Sequence, residues 1–191
     1  MKHTLIALAA GWIVAGSALP ALGQEAGSGV FMELELPVAF EKQGGYGAVD
    51  GDTLNSIAGQ GILVGYSGIG LGYHRFNAGF SQGGLVSYSL PSLLGRVALG
   101  SVLLQGGLGT GSVQFVNIFT GGGGVPMPIE PMDQKVSHVY VLMGYQGTNL
   151  DISLGYHSIS AKMGAKSGAL VLSNNVDFSI NVVTLGLGLQ F

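Results

Sequence analysis

The last nine residues, Val183-Thr184-Leu185-Gly186-Leu187-Gly188-Leu189-Gln190-Phe191, alternate without a break. Val183, Leu185, Leu187, Leu189 and Phe191 share one parity; Thr184, Gly186, Gly188 and Gln190 share the other. A period of two is that of a strand whose faces meet different surroundings. The pattern recurs at Leu150, Ile152, Leu154 and Tyr156 against Asp151, Ser153, Gly155 and His157. It recurs again at Met32, Leu34, Leu36 and Val38 against Glu33, Glu35 and Pro37.

Composition decides which row faces out. The chain has 191 residues, 47% hydrophobic and 9% charged, with 35 glycines and a mean hydropathy of +0.49. Soluble domains carry about 25% charged residues. So apolar a chain points to lipid. Ten acidic against seven basic residues exclude a nucleic-acid surface. The absence of cysteine excludes disulfides and thiolate metal sites.

Met1-Lys2-His3, the apolar run Leu5 to Leu19, Pro20 and Ala21-Leu22-Gly23 read as a secretory signal peptide cleaved after residue 23. Residues 24–191 then form the mature domain. They hold no apolar run long enough for a spanning helix, which needs ~20 residues. A closed β-barrel is the other structure that satisfies every backbone group in lipid. The apolar rows therefore face lipid, and the polar rows line a lumen.

The expected fold is all-β, an eight-stranded antiparallel transmembrane barrel with short periplasmic turns and four longer extracellular loops. The strands are placed at 30–40, 57–66, 69–79, 95–105, 108–119, 136–146, 149–160 and 177–191. Tight turns fall at Ser67-Gly68, Gly106-Gly107 and Gly147-Thr148. Long connections fall at 41–56, 80–94, 120–135 and 161–176. A two-residue turn at Gly147-Thr148, of type II′, pairs Met143 with Ile152 and His138 with His157. Residues 95–105 are apolar on both parities, which leaves the direction of Arg96 open. Tyr66, Tyr145 and Phe191 at one rim, and Phe40, Phe119 and Tyr156 at the other, form outward aromatic girdles. Phe31, Phe76 and Phe178 do not fit this outward parity, and a bulge would be needed to bring them into the girdles.

Glu33, Glu35, His74, His138, Asp151 and His157 point inward and are expected to pair with one another. Arg96 is a possible counter-charge. Histidine protonation would also compensate the carboxylates and make stability pH-sensitive. Two imidazoles can hold a divalent ion, but spacing fixes no third ligand. The cluster is therefore read as structural, with no metal, cofactor or catalytic residue assigned. The runs Gly68-Ile69-Gly70-Leu71-Gly72 and Gly106 to Gly111 lack a following helix and are not nucleotide loops.

These features together resemble the small eight-stranded outer-membrane barrels of Gram-negative bacteria: the OmpA transmembrane domain, OmpX and the opacity proteins. The resemblance implies an outer-membrane location, a monomer, and contact with outer-membrane lipids and lipopolysaccharide. It also implies that Leu187, Leu189 and Phe191 form the terminal signal read by the outer-membrane assembly machinery. His74-Arg75-Phe76-Asn77 faintly resembles the His-x-Ser-Asn motif of lipid A deacylases, but Phe76 stands where acyl transfer needs a hydroxyl. The expected role is a structural or surface-interaction scaffold acting through its loops. A narrow, porin-like pore and a lipid-processing enzyme are the alternatives.

Overall fold

The computed structural model describes residues 29–43, 54–80, 85–116, 130–167 and 170–191. The segment 1–23 expected to be a signal peptide and the aromatic expected at Phe119 lie outside them. The strands are β1 (Val30–Lys42), β2 (Leu54–Tyr66), β3 (Ile69–Phe80), β4 (Leu85–Leu99), β5 (Val102–Thr110), β6 (Ser112–Val116), β7 (Glu130–Gln146), β8 (Leu150–Ser167), β9 (Leu170–Asp177) and β10 (Ile180–Gln190). β5 and β6 follow one another along β4, and β9 and β10 follow one another along β8. The ten segments therefore make eight staves. The β1–β10 ladder closes the barrel, and all the pairings are antiparallel.

Alternation sorts the side chains as expected. Met32, Leu34, Ile62, Leu71, Met143, Ile152, Leu154 and Leu187 stand exposed on the outer face. Their sequence neighbours Glu33, Leu63, Gly72, Leu142, Ser153 and Gly186 are buried inside. An outer face this apolar suits lipid.

Strand ends and one hairpin register differ from the sequence reading. The fourth strand spans 85–99, not 95–105, and its tight turn lies at Gly100-Ser101 rather than Gly106-Gly107. Gly100 takes the left-handed conformation (φ 64°) that a tight reversal needs. Gly107 stands inside β5, where an added Cβ would strike the Tyr140 ring. The expected loop at 80–94 is thus mostly strand. So is the one at 161–176, where β8 and β9 are separated by only residues 168–169. Finally, the β7–β8 ladder pairs Met143 with Leu154 and Tyr140 with His157, two residues from the predicted register. Gly147 does not adopt the positive φ of a type II′ turn; its N–H instead donates to the Leu150 carbonyl at 2.9 Å. A shift of two keeps every side chain on its predicted face. The Ser67-Gly68 turn keeps its predicted register, with Tyr66 opposite Ile69. Both turn residues have positive φ (47° and 84°), which makes it type I′.

Pro37 lies mid-strand, where its missing N–H is tolerated only at an edge or a bulge. The β1–β10 register shifts there, between Pro37 and Ala39. The bulge sets Phe40 opposite the buried Val182 and half-buries it, so Phe40 does not join the outer girdle. Tyr66, Tyr145, Tyr156 and Phe191 remain on the outer face. Just before the bulge, the β1–β2 ladder ends at Glu35–Gly61, though both strands continue.

The lumen is layered. Near the tight turns Phe31, Leu63, Leu94, Tyr140 and Leu142 form one apolar cluster. Toward the other end Phe76, Tyr88, Leu90, Ile159, Phe178, Ile180 and others form a larger one. Phe31, Phe76 and Phe178, the aromatics that did not fit the outward girdles, are thus core residues of the lumen, and no bulge carries them outward. The lumen is less polar than its carboxylates alone implied.

Candidate functional site

The polar residues lie among these clusters as a bonded layer. β1 supplies its centre, because Glu33 and Glu35 follow one another on the inward row. The Glu35 carboxylate accepts from His74 Nε2 at 2.6 Å, from Thr184 Oγ1 at 2.7 Å and from His157 Nε2 at 3.0 Å. His157 Nδ1 in turn lies 3.0 Å from Nε2 of His138. The bonded chain thus runs from β3 through β1 to β8 and β7. All five side chains are fully buried.

With neutral rings, these contacts set the tautomers. A carboxylate accepts, so His74 and His157 carry their protons on Nε2. His157 Nδ1 must then accept, and His138 donates from Nε2. His74 Nδ1 and His138 Nδ1 are left as buried lone pairs without a hydrogen-bond partner.

A second set lies one step toward the tight turns. Glu33 accepts short hydrogen bonds from Gln105 Nε2 and Ser153 Oγ. Arg96 donates to Asp151 at 2.5 Å, and its guanidinium sits 4.5 Å above the centre of the Phe31 ring. Arg96 therefore points inward as the counter-charge to Asp151. A buried carboxylate without such partners costs several kcal/mol.

Glycines give the cluster its room. A Cβ at Gly61 would meet the His74 ring and the Glu35 carboxylate. One at Gly155 would meet Thr184, Glu35 and His157. Tyr140 stacks on His138 and His157, with ring centres 5.0 and 5.1 Å apart. His74 meets Tyr140, His138 and His157 edge-on, each at 4.9 Å.

The structure brings together all six residues singled out from the sequence. Glu35, His74, His138 and His157 join one chain, whereas Glu33 and Asp151 take separate partners. His138 and His157 touch diagonally rather than directly across the ladder. Sequence reasoning missed Gln105, Ser153, Thr184 and Tyr140 as partners. Inward parity was visible for Ser153 and Thr184. Gln105 was hidden by the misplaced strand boundary. Leu187, Leu189 and Phe191 lie on the outer face, and Phe191 exchanges backbone hydrogen bonds with Val30 at 2.9 and 3.1 Å.

No protein-family model and no curated protein matches the chain. Among solved structures, it is similar to the outer membrane protein AlkL determined by solid-state NMR in DMPC bilayers. That match has a TM-score of 0.56 at 15% identity and covers 88% of this chain and 93% of AlkL. A second similarity is to the outer membrane protein OprG from Pseudomonas aeruginosa, with a TM-score of 0.47 at 10% identity over 86% of this chain and 96% of OprG. The AlkL match bears out, for the fold, the expected resemblance to small outer-membrane barrels.

Proposed function

We propose that the protein is a non-conducting outer-membrane barrel, reached through a cleaved signal peptide, that acts as a scaffold for its outer segments. The observation that carries this reading is the bonded layer across the lumen. Glu33 to Gln105 links β1 to β5, Arg96 to Asp151 links β4 to β8, and Glu35 gathers β3, β8 and β10. Eight staves leave an interior just wide enough for side chains. Here those side chains are tied to one another, and an ion would have to break several buried hydrogen bonds to pass. The binding work of a plugged barrel falls to the chain beyond its rims. Planar-bilayer recording of the purified protein tests this. We expect no unitary conductance from the unaltered protein; reproducible ohmic steps from it would identify a pore instead.

A second reading rests on the seam between β1 and β2. Beyond Glu35–Gly61 these strands are not hydrogen-bonded to each other, and the larger apolar cluster lies toward that end of the lumen. An apolar solute could enter there and leave sideways into the bilayer. Uptake of a fluorescent apolar dye by cells with and without the protein distinguishes this reading from a pure scaffold, which leaves uptake unchanged.

A further inference from the structure

Glu35 holds Nε2 of His74 and of His157. That leaves the Nδ1 atoms of both rings as lone pairs. His74 Nδ1 and His138 Nδ1 are buried without a partner, and His157 Nδ1 has only the His138 ring. One ring nitrogen from each of the three lies within 4.8 Å of one from each of the others. We propose that His74, His138 and His157 form a binding site for a divalent late transition metal ion, with zinc the best fit.

Neutral imidazole is a favoured ligand of zinc, copper and nickel. Three imidazoles with an open fourth position form a known zinc arrangement. Zn–N bonds of about 2.0–2.1 Å hold tetrahedral nitrogens roughly 3.4 Å apart. The His138–His157 pair, at 3.0 Å, is already close to that separation. A change of tautomer at His138, with its proton moved to the partnerless Nδ1, would present Nε2 as a bare nitrogen in place of the N–H it now donates. The remaining adjustment brings a His74 nitrogen, now within 4.8 Å of the other two rings' ligand atoms, to about 3.4 Å from them.

Glu35 supplies the surroundings such a site uses. Metal-bound histidines usually donate their other N–H to a carboxylate, which fixes the ring and raises its basicity. Glu35 does this for two of the three rings at once. One carboxylate with one cation also leaves a smaller net charge in the buried layer than the dication would alone. The site would join β3, β7 and β8 across the lumen.

The test uses untagged protein recovered from membranes, stripped with a chelator in denaturant and refolded into detergent. Zn2+ is added either during refolding or afterwards, because the rings are fully buried in the folded barrel and reachable in the open chain. After desalting, metal is counted per chain. We expect one Zn2+ per chain in at least one arm, and a raised unfolding temperature. His74→Gln and His138→Gln should each abolish the site, and Glu35→Gln should weaken binding roughly 10–100-fold. Co2+ substitution of the unmutated protein gives a reading independent of whether the variants fold: an intense tetrahedral visible spectrum is expected. Absence of stoichiometric metal in both arms, undiminished binding in both histidine variants, or a pale octahedral Co2+ spectrum would overturn the proposal.

Discussion

Arg96 is the residue whose direction the sequence leaves open, and packing settles it. Its neighbours Val97 and Ala98 are apolar on either parity, so alternation carries no information there. The buried Asp151 and the Phe31 ring face it from other staves, contacts that no local pattern encodes. Glu33, Glu35 and the histidines were legible, because each sits in a clean alternating run. The pair yields a prediction. Arg96→Met leaves Asp151 charged, buried and unpartnered, and should cost about 3–5 kcal/mol in urea unfolding from lipid vesicles. Arg96→Met/Asp151→Asn should cost much less than the sum of the single changes. Additive losses would mean that the two groups do not meet in the folded barrel. Room for the cluster is tested at Gly155. Gly155→Val should destabilise the barrel through Glu35, Thr184 and His157, whereas the outward Leu154→Val should change stability by less than about 1.5 kcal/mol.

At the scale of the strand, faces were more legible than ends. Parity survives any even slip, which is why the β7–β8 hairpin kept its inward row although its register was misjudged by two. Ends depend on turn chemistry, and the glycine content blurs it. Gly106-Gly107 looks like a turn, but Gly107 makes room for the Tyr140 ring, while the turn itself uses the less conspicuous Gly100. Phe40 illustrates a different failure. Its parity is outward only if Pro37 leaves the ladder intact, and the bulge reverses it. Register is tested on the outer face, where cysteines leave the lumen undisturbed. Met143→Cys/Leu154→Cys should form a disulfide in membranes, because these residues are directly opposite. Met143→Cys/Ile152→Cys should not, since diagonal neighbours sit beyond the usual disulfide reach of about 7 Å. The reverse result would restore the two-residue turn at Gly147-Thr148.

For the whole molecule, closure depends on the chain's last residues. β10 pairs with β8 on one side and β1 on the other, and Phe191 completes the β1 ladder at Val30. Deleting Phe191 removes the final backbone pair and the terminal outward aromatic. We expect reduced membrane assembly, with less of the compact species that migrates fast on unheated gels and slowly after boiling. Normal levels of that species would show that Phe191 is dispensable for closure. The claim on which everything else rests is that one parity faces lipid and the other a filled lumen. Methyl NMR in nanodiscs, reading contacts between side-chain methyls and lipid acyl chains, tests it most directly because adjacent residues serve as each other's controls. Ile62, Met143 and Leu154 should show acyl-chain contacts, while Leu63 and Leu142 show none. Acyl contacts at Leu63 and Leu142, with Ile62 and Met143 silent, would contradict the account.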